Sequence, residues 1–202
     1  RITGARQVVF ILGHPVSHSL SPAMHNVAFE KIKLPLLYTS LDISSNEVGP
    51  VVNMMRSFNV RGANVTVPYK EAVMRYLDFI EPEAKWLGSV NTIYRRGNKL
   101  CGTSTDGEGF LRSLGSWRKK IKGSRGLLIG AGGAARAVAG ALAKEGVKAF
   151  YVANRSGAKA ALLVRALRKK YPRLDVQAVS IKNAEPLVAY VDWIIQGTSV
   201  GL

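Results

Sequence analysis

The chain has 202 residues, 47% of them hydrophobic, with 29 Lys and Arg against 13 Asp and Glu, a formal charge of +16. That length suits one or two domains, and the apolar fraction excludes wholesale disorder. The single cysteine, Cys101, excludes an internal disulfide framework and a cysteine-rich zinc site. The stretch 127–143 is too interrupted by Arg136 and glycine for a spanning helix, and without a long apolar run near residue 1 no signal peptide is expected.

The predicted elements alternate. Residues 8–12 are an apolar run ended by Gly13, a buried strand. Ser21 and Pro22 read as an N-cap and first helical residue, opening a helix to about 32. A strand at 36–43 precedes a helix at 47–57, with Val48, Val51, Val52 and Met55 on one side. A strand at 61–67 stops at Pro68, and helices follow at 70–76 and 81–87. Strands at 90–95 and 99–102 flank Gly97-Asn98, a hairpin signal. Residues 106–114 read as a connecting helix, with Asp106 a natural N-cap. The basic stretch 115–124, which contains Gly and Ser, is the one linker candidate. After it come a strand at 126–129, a glycine loop, and a helix at 134–144. A strand at 149–153, a helix at 158–170, a strand at 176–179, a short helix near Pro186 and a strand at 193–196 complete the pattern. Such alternation marks α/β folds with parallel sheets.

The charge is uneven. Residues 1–106 hold 12 basic and 8 acidic side chains, for +4, and residues 107–202 hold 17 and 5, for +12. A basic excess of this size points first to nucleic acid. The aromatics do not interleave with the basic clusters, however, and no zinc-finger spacing is present.

Gly130-Ala131-Gly132-Gly133-Ala134 stands between a predicted strand and helix. Glycines there permit a tight turn and leave room for a pyrophosphate, which the helix N-terminus attracts. The expectation is a dinucleotide site. The next strand ends in Asn154-Arg155-Ser156, with Lys159 one turn on. An NAD site carries an acid at that position, which would repel a 2′-phosphate, whereas Arg155 and Lys159 pair with one. NADP(H) is therefore expected over NAD(H).

The first half holds a second polar set. Ser19 and Ser21 precede a helix. Asn64 and Thr66 share a strand face, Lys70 follows, Asn91 stands in an apolar strand, and Asp106 opens the next helix. Hydroxyls, two amides, a lysine and a carboxylate suit a polyhydroxylated carboxylate substrate. A Lys/Asp pair can exchange a proton with a carbonyl or alcohol while a nicotinamide exchanges hydride. No metal is expected.

Several motifs in order carry a resemblance to a known family. They are Ser19-Leu20-Ser21-Pro22, Gly62-Ala63-Asn64-Val65-Thr66-Val67-Pro68-Tyr69-Lys70, Gly88-Ser89-Val90-Asn91-Thr92, Ser104-Thr105-Asp106-Gly107, the loop at Gly130, Asn154-Arg155-Ser156 and Gly197-Thr198-Ser199-Val200-Gly201. On these the chain resembles the shikimate dehydrogenase family, within shikimate/quinate dehydrogenases. The resemblance implies a substrate-binding catalytic domain at 1–106 and an NADP-binding Rossmann-like domain at 107–202, incomplete at its C-terminus. It implies NADP-dependent reduction of 3-dehydroshikimate to shikimate in aromatic amino-acid biosynthesis, in the cytoplasm, or in a plastid within a plant-type fusion. Ser19 and Ser21 would hold the substrate carboxylate. Thr66, Asn91 and Asp106 would hold ring hydroxyls, with Asn64 nearby, and Lys70 and Asp106 would be the catalytic pair. Thr198 and Ser199 would join Gly130, Ala131, Gly132, Gly133, Ala134, Asn154, Arg155, Ser156 and Lys159 around the cofactor. Ser104 stands where the family usually has Asn, Gln196-Gly197 replaces the usual Asn-Ala, and Leu202 replaces a common Met. The runner-up activity is quinate or dual quinate/shikimate dehydrogenation, and a non-catalytic basic binding module is the alternative of another class. No membrane or nucleic-acid partner is expected, and the assembly is expected to be a monomer or homodimer.

Overall fold

The computed structural model describes residues 6–198 and residue 200, so Ser199 and Leu202 lie outside the described residues. The chain divides into two compact units, Arg1–Ser104 and Thr105–Leu202.

The first unit contains β1 (Gln7–Gly13), α1 (Ser21–Lys31), β2 (Leu36–Asp42), α2 (Val48–Ser57), β3 (Val60–Val65), β4 (Phe79–Ile80), α3 (Pro82–Leu87), β5 (Thr92–Arg96) and β6 (Lys99–Thr103). Its six strands are ordered β2-β1-β3-β5-β6-β4. β1 pairs in parallel with β2 and β3, as the alternation predicts. β5 pairs antiparallel with both β3 and β6, so this sheet is mixed rather than wholly parallel. The cause is the hairpin: Arg96 lies opposite Lys99 across two residues, with Gly97 at φ 59°. Two residues can only reverse a strand, because a parallel return needs a long crossover.

Hydrophobic periodicity placed the core correctly. Val48, Val52 and Met55 of α2 are buried against Phe10, Leu12, Val65, Ile93 and Leu100, with Val51 partly buried beside them. Each fully buried side chain of this kind contributes roughly 1.5–3 kcal/mol.

β4 was not anticipated, since two residues carry no period. It is anchored from outside by Asp78, whose carboxylate accepts from the Leu100 amide at 2.7 Å and from Arg56 at 2.6 Å. The Arg56 hydrogen bond, then that of Leu100, hold the Asp78 carboxyl below the usual carboxylate range. A lowered folded-state pKa adds stability above the unfolded value and loses it as pH falls through the folded one. Asp78→Asn should therefore lower the urea midpoint at pH 7 and narrow its gap from the wild type at pH 2–3. An equal gap at both pH values would show that charge plays no part.

Four boundaries differ from expectation. Ser21 is the first residue of α1 rather than its N-cap, which is Leu20, and no side chain caps this helix. The Ser21 amide donates to Ser19 Oγ at 3.3 Å. Lys70 lies in a turn, and the helical segment after it is a 3-10 helix beginning at Ala72. β3 ends at Val65, short of Thr66, and Asn91 precedes β5 instead of lying within a strand.

The second unit contains α4 (Asp106–Ser113), β7 (Arg125–Ile129), α5 (Gly133–Glu145), β8 (Ala149–Asn154), α6 (Gly157–Lys170), β9 (Asp175–Ser180) and β10 (Trp193–Gln196). Its four strands are all parallel, in the order β10-β7-β8-β9. The chain steps outward from β7 to β8 and β9, then crosses to the other side of β7. That reversal is a topological switch point, where open α/β sheets bind ligands beyond their strand ends. Leu127, Leu128, Phe150, Val152, Leu142 and Leu167 are buried in this unit.

Asp106 is the first residue of α4, and Thr105 is its N-cap. The position still favours a carboxylate in the first turn. The stretch 115–124 is a packed part of the second unit, not a linker. Gly115–Lys120 forms a 3-10 helix, Ile121 is buried, and Arg118 bridges to Glu145 at 2.8 Å. Among the described residues, no helix is long and apolar enough to cross a membrane, and no three His, Cys, Asp or Glu gather as metal ligands.

Candidate active site

In the first unit the candidate residues follow the C-terminal ends of β1 and β3, the end of an α/β sheet where ligands sit. The loop after β1 is pinned by Asp42. Its carboxylate hydrogen-bonds His14 Nδ1 at 2.6 Å and accepts from the Val16 amide at 3.1 Å. These bonds, His14 first, lower its pKa. The Val16 carbonyl accepts from the Ser19 amide at 3.0 Å, and Ser19 Oγ accepts from the Ser21 amide at 3.3 Å. Both serines are thus fixed, half-buried, on a short braced loop.

After β3, the Thr66 amide donates to Leu12 O at 2.8 Å and its carbonyl accepts from the Tyr69 amide at 3.0 Å. Tyr69 is buried, and its hydroxyl donates to Ile43 O at 2.6 Å. The carbonyl of Lys70 accepts from the Val90 amide at 2.9 Å. The Lys70 backbone is therefore held from both sides, and its side chain is half-buried.

Asn64 and Asn91 belong to one side-chain network. Asn64 Oδ1 accepts from the Tyr38 hydroxyl at 2.7 Å, and Asn64 Nδ2 donates to Thr92 Oγ1 at 3.4 Å. Thr92 Oγ1 donates to Asn91 Oδ1 at 2.8 Å, and Asn91 is only 9% exposed. The sequence did not single out Tyr38, Thr92 or Asp42. A tyrosine in an apolar strand reads as core, and no motif spacing marks it.

In the second unit, Gly130 and Gly132 flank Ala131 in the turn from β7 to α5. Gly130 has φ 119°, and a Cβ there would stand 2.7 Å from the carbonyl oxygen of Gly197. Glycine is required twice over, by backbone conformation and by space. Gly130→Ala is expected to cost about 1–3 kcal/mol and to lower the melting temperature; an unchanged midpoint would show that the turn relaxes freely. A Cβ on Gly132 would meet nothing within 4 Å, so the backbone there faces open space. Gly132 is the N-cap of α5, with no side-chain cap. Gly133 and Ala134 begin the helix, and Arg136 Nε holds the Ala131 carbonyl at 3.3 Å.

Beyond β8, Asn154 Nδ2 donates to the Ser156 carbonyl at 2.9 Å. Ser156 is the N-cap of α6 and makes no side-chain capping bond. Arg155 and Lys159 are exposed, and neither α5 nor α6 has an acid in its first turn. A glycine turn without Cβ obstruction, a helix N-terminus and two cations without a local acid fit a dinucleotide with an extra phosphate. At the end of β10, Gln196 Oε1 accepts from both the amide and the hydroxyl of Thr198, at 3.1 and 3.0 Å. Ser199 lies outside the described residues. Asp106 is half-buried at the start of α4, where Gly107 lies so close to α5 that a Cβ would approach the Ala137 carbonyl at 2.7 Å.

Residues 11–93 match the family model described as Shikimate dehydrogenase substrate binding domain, and residues 114–201 match Shikimate / quinate 5-dehydrogenase. A Shikimate dehydrogenase (NADP(+)) of Halothermothrix orenii is 42% identical over 199 residues, covering 97% of this chain and 69% of the relative. The chain belongs to the shikimate dehydrogenase family. Among solved structures, Shikimate 5-Dehydrogenase from Thermus thermophilus in complex with NADP(H) and shikimate has a TM-score of 0.83 at 36% identity. That match covers 97% of this chain and 70% of the other. Quinate dehydrogenase from Corynebacterium glutamicum in complex with NAD has a TM-score of 0.85 at 27% identity, covering 96% and 71%.

Two departures from the shikimate dehydrogenase pattern have local structural consequences. Gln196, in place of the usual Asn, supplies the amide oxygen that holds Thr198. Gly197 replaces the usual Ala where a Cβ would stand 3.1 Å from that of Ala135, so the smaller residue relieves a crowded contact.

Proposed function

We propose that the chain catalyses the NADP-dependent, reversible reduction of 3-dehydroshikimate to shikimate. Membership of the shikimate dehydrogenase family with Lys70 and Asp106 both present carries this reading. The domains are a substrate-binding part at 1–106 and a cofactor-binding part at 107–202. Ser19 and Ser21 bind the carboxylate, and Thr66, Asn91 and Asp106, with Asn64 beside them, bind the ring hydroxyls. Gly130, Ala131, Gly132, Gly133 and Ala134 hold the pyrophosphate through backbone N–H groups. Asn154, Arg155, Ser156 and Lys159 hold the adenosine ribose and its 2′-phosphate, and Thr198 and Ser199 complete the cofactor site.

The nicotinamide, when bound, supplies or accepts the hydride at the substrate carbon. Lys70 Nζ, as the ammonium, gives its proton to the carbonyl oxygen in the reducing direction and takes it back in the reverse. The Asp106 carboxylate orients the substrate hydroxyl. The reaction consumes 3-dehydroshikimate, NADPH and a proton and yields shikimate and NADP+. The chain acts as a monomer or homodimer in the cytoplasm, or in a plastid when part of a plant-type fusion, without membrane or nucleic-acid partners.

The test is NADP+ reduction followed at 340 nm with shikimate and, in parallel, quinate. A kcat/KM for shikimate at least about tenfold above that for quinate, one factor of 1.4 kcal/mol, is expected. The reverse ratio would assign quinate, and no turnover of either would leave a non-catalytic binding module on this fold.

A further inference from the structure

Tyr38 is hydrogen-bonded to Asn64, which the proposed function places beside the substrate hydroxyls. It is 2% exposed and lies on β2, the edge strand of the first sheet. Two residues of α1 hold it. The Asn26 side chain accepts from the Tyr38 amide and donates to its carbonyl, both at 2.8 Å, replacing the strand partner an edge lacks. His25 stacks on the ring, with centroids 4.4 Å apart and an interplanar angle of 10°. The ring position is thus fixed independently of its hydroxyl.

Tyr38 lies opposite Val9 of β1, and Asn64 lies opposite Ile11. Val9 and Ile11 are two residues apart, so their partners share a face. β2 and β3 are two strand spacings apart, roughly 9–10 Å, and the long tyrosine side chain crosses β1 to reach Asn64.

The hydrogen bonds run in one sense. Tyr38 donates to Asn64 Oδ1, Asn64 Nδ2 to Thr92, and Thr92 to Asn91 Oδ1. Burial pushes the Tyr38 phenol up to about 12, so it stays protonated and donating throughout an ordinary assay range. With their oxygens committed to hydroxyl donors, both asparagine amides have a fixed orientation. Asn91 Nδ2 is turned away from Thr92.

We infer that Tyr38 is a positioning residue for substrate binding, which fixes Asn64 and, through Thr92, the hydroxyl-binding Asn91 by this one-way chain. This rests on the proposed function, because it takes Asn64 and Asn91 as residues of the substrate site. Tyr38→Phe keeps the ring, its stacking and its packing, and removes only the hydroxyl.

The experiment is steady-state kinetics on the wild-type chain, Tyr38→Phe, Asn64→Ala, their double variant and Thr92→Val, with a thermal melt of each. The expected result for Tyr38→Phe is a rise of about tenfold in shikimate KM, with kcat and the KM for NADP+ within about twofold. Thr92→Val, which cuts the chain on the far side of Asn64, should raise shikimate KM in the same direction. The double variant should be little worse than Asn64→Ala, because coupled residues are not additive. A lower melting temperature with unchanged shikimate KM, or multiplicative effects in the double variant, would overturn the positioning role. Wild-type turnover of shikimate with an unaffected Tyr38→Phe defeats this inference alone, whereas a wild type without shikimate turnover or binding defeats the functional reading and this inference with it.

Discussion

Lys70→Ala is expected to lower kcat by about 10²–10⁴-fold while shikimate KM changes by less than about threefold. The expectation comes from how the residue is held. Its carbonyl is bound by the Val90 amide, and its neighbour Tyr69 is buried and tied to Ile43. Removing the side chain beyond Cβ leaves those restraints in place, so the backbone and the Ser19, Asn64 and Asn91 contacts should persist. The group lost is then one needed when negative charge develops on the substrate oxygen, which affects kcat more than KM. A melting temperature close to wild type is the control. Near-normal kcat would remove Lys70 from the mechanism and turn attention to Asp106.

Arg155→Ala should raise the KM for NADP+ by about 10–100-fold, the loss of one charge-assisted pair, and leave the KM for NAD+ nearly unchanged. Arg155 is exposed just beyond β8, in a turn fixed by the bond from Asn154 to the Ser156 carbonyl. Substitution therefore removes charge without disturbing packing. Lys159, also exposed at the start of α6, should retain part of the preference, so the double variant should lose more. Added salt should narrow the difference between the two cofactors, since exposed charges are screened. An equal loss for both cofactors would mean that Arg155 supports the turn rather than reading the phosphate.

The two candidate sites were legible in the sequence to different degrees. The cofactor loop was readable because its parts are consecutive: β7, the glycine turn and the start of α5 span a few residues, and Gly130 is marked by its own backbone requirement. Ser19, Ser21, Asn64 and Asn91 were recognised singly, as polar residues out of place among apolar ones. The wiring of Asn64 and Asn91 was not, because it passes through Tyr38 and Thr92, which read as ordinary strand residues. The N-cap roles expected of Ser21 and Asp106 failed by one position each. A capping preference is small, about 1 kcal/mol, and the Ser21 amide is already held by Ser19 Oγ.

By itself, the sequence determined the strand and helix alternation, the buried face of α2, the glycine turn and the absence of an acid beside Arg155. All of these depend on neighbours a few positions apart, through residue period, backbone conformation and local charge. The tertiary structure alone decided that the first sheet is mixed, that β4 exists, that residues 115–124 pack instead of linking, and that Tyr38 reaches Asn64 across β1. Those outcomes depend on register between distant strands. A side chain's hydrogen-bond partner is whichever group the register brings within about 3 Å, and Tyr38 and Asn64 stand 26 positions apart in the chain.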